Sequence, residues 1–108
     1  MSFTTSQIGV LYRHGDVMIQ RIDLIPRLAQ RRMGGTLAYG EVTGHSHRFA
    51  QLDTIQLWVH GDNLWLEVKT PTAALTHEEH RQLDIPQGFY RVWQQREYRP
   101  GTYVNVED

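Results

Sequence analysis

The chain of 108 residues contains no cysteine. That absence excludes disulfides, thiolate-ligated zinc, iron–sulfur clusters and thiol nucleophiles together, and it leaves the redox compartment unassigned. Long apolar runs are missing too, so no segment approaches the roughly 20 apolar residues of a membrane-spanning helix. The start, Met1-Ser2-Phe3-Thr4-Thr5-Ser6, has neither a basic region nor a continuous apolar stretch. No export signal is read there, and a cytoplasmic location without a membrane partner is expected. Nor is there an excess of charge of one sign: 11 basic residues against 12 acidic ones leave a formal charge of -1. Non-specific attraction to nucleic acid has no strong electrostatic basis at that balance, and nucleic acid is not the expected partner.

What is present suffices for one folded domain spanning residues 1–108, with residues 1–10 expected as a loosely ordered N-terminal segment. Hydrophobic residues make up 40% of the chain and include 3 Trp and 5 Tyr, enough to bury a core. Turn-forming clusters recur closely at Gly15-Asp16, Gly34-Gly35, Gly44, Gly61-Asp62-Asn63, Pro71, Pro86-Gln87-Gly88 and Pro100-Gly101. Between them lie short segments rich in Val, Ile, Leu and aromatics. The clearest pair is Ile55 to Val59 and Leu64 to Lys69, both alternating, joined by His60-Gly61-Asp62-Asn63 as a hairpin. Trp58 and Trp65 fall on the face opposite the aliphatic stripe. Further strands are expected at Asp16 to Ile22, Thr36 to Thr43, His47 to Leu52, Phe89 to Glu97 and Thr102 to Val106. Only Ile25 to Arg32 reads as a short helix or turn. The fold class is mainly β: a small antiparallel barrel or sandwich of about seven to eight short strands, because closure or a second sheet best protects edges of this length.

Six His and no Cys confine metal chemistry to imidazole and carboxylate ligands. In an extended chain His45 and His47 share a face about 6 to 7 Å apart, a spacing from which two imidazoles can converge on one ion. Glu41 shares that face if Gly44 does not reset the alternation. His77 and His80, three residues apart, converge only on a turn, and Thr76 with Glu79 has the pattern of a capping box for one. Together the pairs provide metal ligands His45, His47, His77 and His80 for a divalent ion, zinc first, with manganese, iron or nickel also suited. Glu41, Glu78 and Glu79 are the candidate catalytic carboxylates. Tyr90, Arg96 and Tyr98 are the candidate ligand-binding residues, since guanidinium and phenol groups can orient an anion or a carbonyl. His14 and His60, each beside a glycine, read as turn residues.

The segments Gly40-Glu41-Val42-Thr43-Gly44-His45-Ser46-His47, Leu75-Thr76-His77-Glu78-Glu79-His80 and Gln95-Arg96-Glu97-Tyr98, with Gly15-Asp16-Val17 ahead of them, carry a resemblance. The chain resembles a set of small uncharacterised bacterial and phage proteins, from Gly15 to Tyr98, and that resemblance implies no particular activity. A looser likeness is to the cupin barrels, on Gly40 ahead of His45-Ser46-His47 and on Pro86-Gln87-Gly88. No Glu follows His47 closely, and Phe89, Tyr90 and Arg91 stand where a cupin's late His would be. The likeness therefore implies barrel architecture alone, with any remaining ligands drawn from His77 or His80.

Two functions follow as expectations. The first is a metal-binding β-barrel that activates water as a hydrolase or lyase acting on a small-molecule substrate. The second is a non-catalytic interaction or assembly module, with a protein partner or a homo-oligomer, using Trp58, Trp65 and Trp93.

Overall fold

The strands of the chain, in the computed structural model, are β1 (Leu11–His14), β2 (Val17–Ile22), β3 (Gln30–Arg32), β4 (Thr36–Tyr39), β5 (Ser46–Phe49), β6 (Ile55–His60), β7 (Asn63–Thr76), β8 (Leu83–Gln94), β9 (Arg96–Arg99) and β10 (Thr102–Asn105). The structure describes residues 7–40, 42–99 and 102–105, and of 96–105 the backbone alone. A 3-10 turn at Leu52–Thr54 lies between β5 and β6. Eight strands form one antiparallel sheet in the order β1-β2-β8-β7-β5-β4, with β6 also pairing β7 and β3 pairing β6. The sheet curls into a half-barrel, as the closely spaced turns predict. β9 and β10 form a separate two-stranded ribbon. No helix among the described residues is long and apolar enough to cross a membrane.

Alternation builds the concave face. Leu57 on β6, Leu66 and Val68 on β7, Tyr90 and Val92 on β8, and Val17 and Ile19 on β2 all point into one buried core. The hairpin of β6 and β7 has the expected register, with Trp58 directly opposite Trp65. These indoles are half-buried on the convex face, where the Arg31 guanidinium lies 5.6 Å from the Trp58 ring.

The long β7–β8 pair departs from the sequence expectation. Pro71 and Pro86-Gln87-Gly88, read as breaks, lie inside two continuous strands. Between them the pairing moves from Val68↔Gly88 to Thr72↔Pro86, four residues along β7 for two along β8. This is a bulge, and a bulge leaves residues outside the ladder, so Pro71 costs no ladder hydrogen bond. It also switches the inward set on β7 from Leu66 and Val68 to Ala73 and Leu75.

The bulge bends the sheet sharply. Gln94 and Leu83 are the ends of β8, and a straight strand of that length would separate them by about 36 Å. Gln94 pairs with Val17, beside the turn that follows His14, yet the His14 ring meets the Arg81 carbonyl, just ahead of Leu83, at 2.9 Å. The two ends of the pair are thus folded toward each other. Arg21 fills the inside of the bend, its Nη1 donating to the Tyr90 hydroxyl at 3.3 Å while that hydroxyl donates to the Pro86 carbonyl at 2.6 Å.

Other expectations need correction. β1 was not foreseen, because Leu11 and Tyr12 stand beside polar Arg13 and His14 without a clear stripe. Of the two readings of Ile25 to Arg32 the turn is found, with the Ala29 N–H donating to the Pro26 carbonyl, but the stretch ends in a strand, β3, paired with β6. Gly9 and Val10 exchange backbone hydrogen bonds with Arg21, while residues 1–6 lie outside the described residues.

Gly88 sits at φ 151° and a Cβ there would overlap the Arg21 guanidinium. Gly88→Ala is expected to lower the free energy of unfolding by about 1–3 kcal/mol. Urea denaturation checks this, and an unshifted midpoint would remove the bend from the account.

Candidate metal centre

Three separated pieces of chain meet where the bent sheet closes: the β1–β2 turn, strand β5, and the segment between β7 and β8. β5 places His47 on its inward side, almost fully buried. The segment after β7 brings His77 and His80 beside it, with ring centroids 4.4 Å and 5.5 Å from that of His47. One ligating nitrogen from each of His47, His77 and His80 lies within 4.8 Å of the other two. A second group, His45, His77 and Glu78, meets the same limit.

The expected pairs are therefore divided differently. His45 and His47 do not share a group; each joins His77 instead. The reason is local: the chain turns at Gly44, with the His45 N–H donating to the Val42 carbonyl, and β5 begins only at Ser46. His77 and His80 do come together, centroids 4.6 Å apart, but not through a capped helical turn. Thr76 is the last residue of β7, and its hydroxyl donates to the Arg48 carbonyl at 3.2 Å. The His77 ring takes over local capping, its Nδ1 accepting the Glu79 N–H at 3.0 Å.

The carboxylates differ in their commitments. Glu78 accepts the Ser46 N–H at 3.0 Å and pairs with the Arg48 guanidinium at 2.8 Å. The Arg48 hydrogen bond first, then those from backbone N–H groups, hold its carboxyl down at about 2, so it is ionised and weakly basic at neutral pH. Glu79 Oε1 lies 2.8 Å from His45 Nδ1, on the exposed rim. Glu41 lies outside the described residues, as do the side chains of Arg96 and Tyr98. Tyr90, expected beside those two as a ligand contact, is instead a core residue: it has no exposed surface, and its hydroxyl is engaged by Pro86 and Arg21.

His14 was read as a turn residue and proves to be a buried member of the assembly. Its Nδ1 lies 2.9 Å from His47 Nδ1, and its Nε2 lies 2.9 Å from the Arg81 carbonyl oxygen. Asp16 is a second member that residue spacing does not reveal. Its Oδ1 stands 3.5 Å from His47 Nε2, and its Oδ2 accepts from the Gln94 amide at 2.6 Å. The available signal was Gly15-Asp16-Val17, present among the segments of resemblance but without a metal-ligand spacing. Gly15 is required by two constraints at once. Its φ is 61°, and a Cβ would lie 2.6 Å from His80 Nε2 and 2.9 Å from His47 Cε1.

Burial and repulsion from neighbouring rings disfavour the charged forms of His47 and His77. Desolvation first, then the neighbouring His77 and His14, push His47 down to about 4, against the opposing pull of Asp16. His77 is lowered as well, by desolvation and then by His80. Neutral imidazole is the form that ligates a metal.

A family model with the description Domain of unknown function (DUF8820) matches residues 13–95. No curated protein and no solved structure matches the chain. Kinship with uncharacterised proteins is thereby supported, and neither a cupin nor a phage link is shown.

Two pH windows follow for the chelator-treated protein. His47 is depressed from 6.5 to about 4 on folding, so the unfolded chain binds the extra proton between those values and stability falls as pH drops through that interval. Glu78, depressed from 4.5 to about 2, adds stability above 4.5 that is lost as pH falls toward 2. Unfolding free energies measured against pH should show both slopes, His47→Gln flattening the upper and Glu78→Gln the lower. A variant that leaves its slope intact refutes the corresponding assignment.

Proposed function

The chain belongs to the DUF8820 family, and we propose that it is a metal-binding β half-barrel in which His47, His77 and His80 hold one divalent transition-metal ion. The observation that carries this reading is the approach of three imidazoles, from β5 and from the β7–β8 segment, to within one another's reach. Nitrogens within 4.8 Å of one another close to roughly 3.4 Å apart when they sit on bonds of about 2.0–2.1 Å. His77 must give up the hydrogen bond from the Glu79 N–H if it binds through Nε2, a loss of about 1 kcal/mol against roughly 10 kcal/mol or more for a structural zinc site. Three nitrogen ligands suit zinc, and also manganese, iron(II) and nickel.

Three protein ligands leave a position for water, whose pKa a bound zinc lowers toward neutrality. Hydrolysis, or a lyase reaction that adds or removes water on a small-molecule substrate, is the chemistry this supplies. Within that reading the carboxylates divide the work. Glu79, at the rim beside His45, is the proton acceptor, while Glu78 is committed to Ser46 and Arg48 and holds the β5 backbone in place. Asp16, with one oxygen anchored by Gln94, offers its other oxygen beside His47 to balance the charge of the ion.

A second reading, an interaction module, rests on the convex face, where Arg31 stacks on Trp58, Trp65 stands opposite it and Arg91 lies over Trp93 at 4.9 Å. Sedimentation at several concentrations addresses it, since association through that face would be weakened by Trp58→Ala.

Elemental analysis of tag-free protein is expected to find about one equivalent of zinc or another first-row metal, and a His47→Ala/His80→Ala variant to lose it. Metal-free protein that fails to take up zinc, manganese, iron or nickel in titration calorimetry would overturn the metal reading.

A further inference from the structure

His14 lies outside both groups of convergent ligands, yet it is buried against the centre and bonded at both ring nitrogens. Its two contacts have opposite consequences. The Arg81 carbonyl can only accept, so His14 Nε2 carries a proton. A neutral His14 then has a bare Nδ1, which can only accept. The nitrogen 2.9 Å away, His47 Nδ1, must therefore be the donor. A neutral His47 that donates from Nδ1 keeps its lone pair on Nε2. The chain of donors thus runs from His47 through His14 to a backbone carbonyl.

The geometry points to His14 as the positioning residue of the centre: it fixes His47 in the Nδ1–H tautomer, so that Nε2 is offered to the ion. This inference rests on the metal reading for its purpose but not for its measurement. It accounts for a feature that is adverse without an ion. A bare His47 Nε2 faces the Asp16 carboxylate oxygen at 3.5 Å, two electron-rich atoms that only a cation or a proton reconciles. That separation is close to the edge, roughly 3.4 Å, of a tetrahedral centre with bonds near 2.1 Å. His14 accepts the Nδ1 proton at 2.9 Å, which leaves the cation to complete the arrangement on the Nε2 side. A hydrogen-bond acceptor on the far nitrogen, ordinarily a carboxylate, a backbone carbonyl or water, is what holds a ligand imidazole in one tautomer and orientation, and here that acceptor is an imidazole itself tied to a backbone carbonyl.

Alternatives to His14 fail on geometry. Asp16 would favour the opposite tautomer, Nε2–H, by accepting from it. The short contact is the one with His14, at 2.9 Å, whereas Asp16 at 3.5 Å is beyond the usual length of a charge-assisted hydrogen bond. The same contacts explain why a residue outside the ligand set is buried at the β1–β2 turn, where β-hairpin turns are ordinarily wet.

The test uses the full chain, labelled with nitrogen-15 and freed of metal, and reads the imidazole nitrogens by long-range proton–nitrogen correlation near pH 7. His47 is expected with a protonated Nδ1 and a bare Nε2. In His14→Leu the proton moves to Nε2, facing Asp16, and zinc affinity falls roughly 10–100-fold. His14→Asn, which puts an acceptor oxygen near the place of Nδ1, restores the Nδ1–H form and most of the affinity. A wild-type His47 protonated at Nε2 overturns the inference, and so does a His14→Leu protein that keeps both tautomer and affinity. The wild-type spectrum decides the tautomer even if a variant fails to fold. If the wild-type protein binds no zinc while His47 shows the Nδ1–H form, the metal reading fails and the role of His14 toward His47 stands.

Discussion

The bulge in the β7–β8 pair is the constraint on which the rest of the architecture depends. Without it the two ends of a twelve-residue strand would be held far apart, and the β1–β2 turn would never meet the segment between β7 and β8. With it, one sheet turns its own concave face inward and forms a core from a single layer. Pro71 tolerates the bulge because it has no N–H to lose, and Gly88 tolerates it because Arg21 occupies the place of a side chain. Local sequence chemistry and global shape thus agree at the one position where an ordinary ladder would fail.

Closing the half-barrel in this way concentrates histidines in a partly dry corner. Four rings, those of His14, His47, His77 and His80, pack within 4.4–6.4 Å of one another, centroid to centroid. Protonating His47 or His77 in this cluster is opposed by burial and by the neighbouring rings, which favours the neutral, basic form of those two. Neutral bases in close array are what a soft-to-borderline cation requires. The acidic groups around them are graded: Glu78 is locked by Arg48 and Ser46, Asp16 is half-anchored by Gln94, and Glu79 stands at the rim. That grading separates carboxylates that hold the chain from one that is open to solvent.

Much of this was legible in the order of residues. The β6–β7 hairpin follows from alternation on both arms of a short turn, and the all-β class follows from the density of Gly and Pro punctuation. His47, His77 and His80 were visible as candidates from spacing alone. Spacing misled at His45, because the turn at Gly44 breaks the extended geometry that the two-residue interval assumed. It misled again at Thr76, whose hydroxyl is drawn into the β5–β7 ladder by Arg48 instead of capping a helical turn. His14 and Asp16 carry no periodic signal toward the other histidines, being more than 30 residues from His47.

By itself, then, the sequence determined the material: a cysteine-free β chain whose metal chemistry must be imidazole and carboxylate, with histidines placed at strand ends and turns. Alternation and turn chemistry are local, and a linear reading captures them. Which histidines meet was decided only by the tertiary structure, because that depends on strand order and on the bend at Gly88. A proline read as a break and a proline inside a bulge look alike in one dimension. They differ only once a partner strand supplies the other half of the ladder.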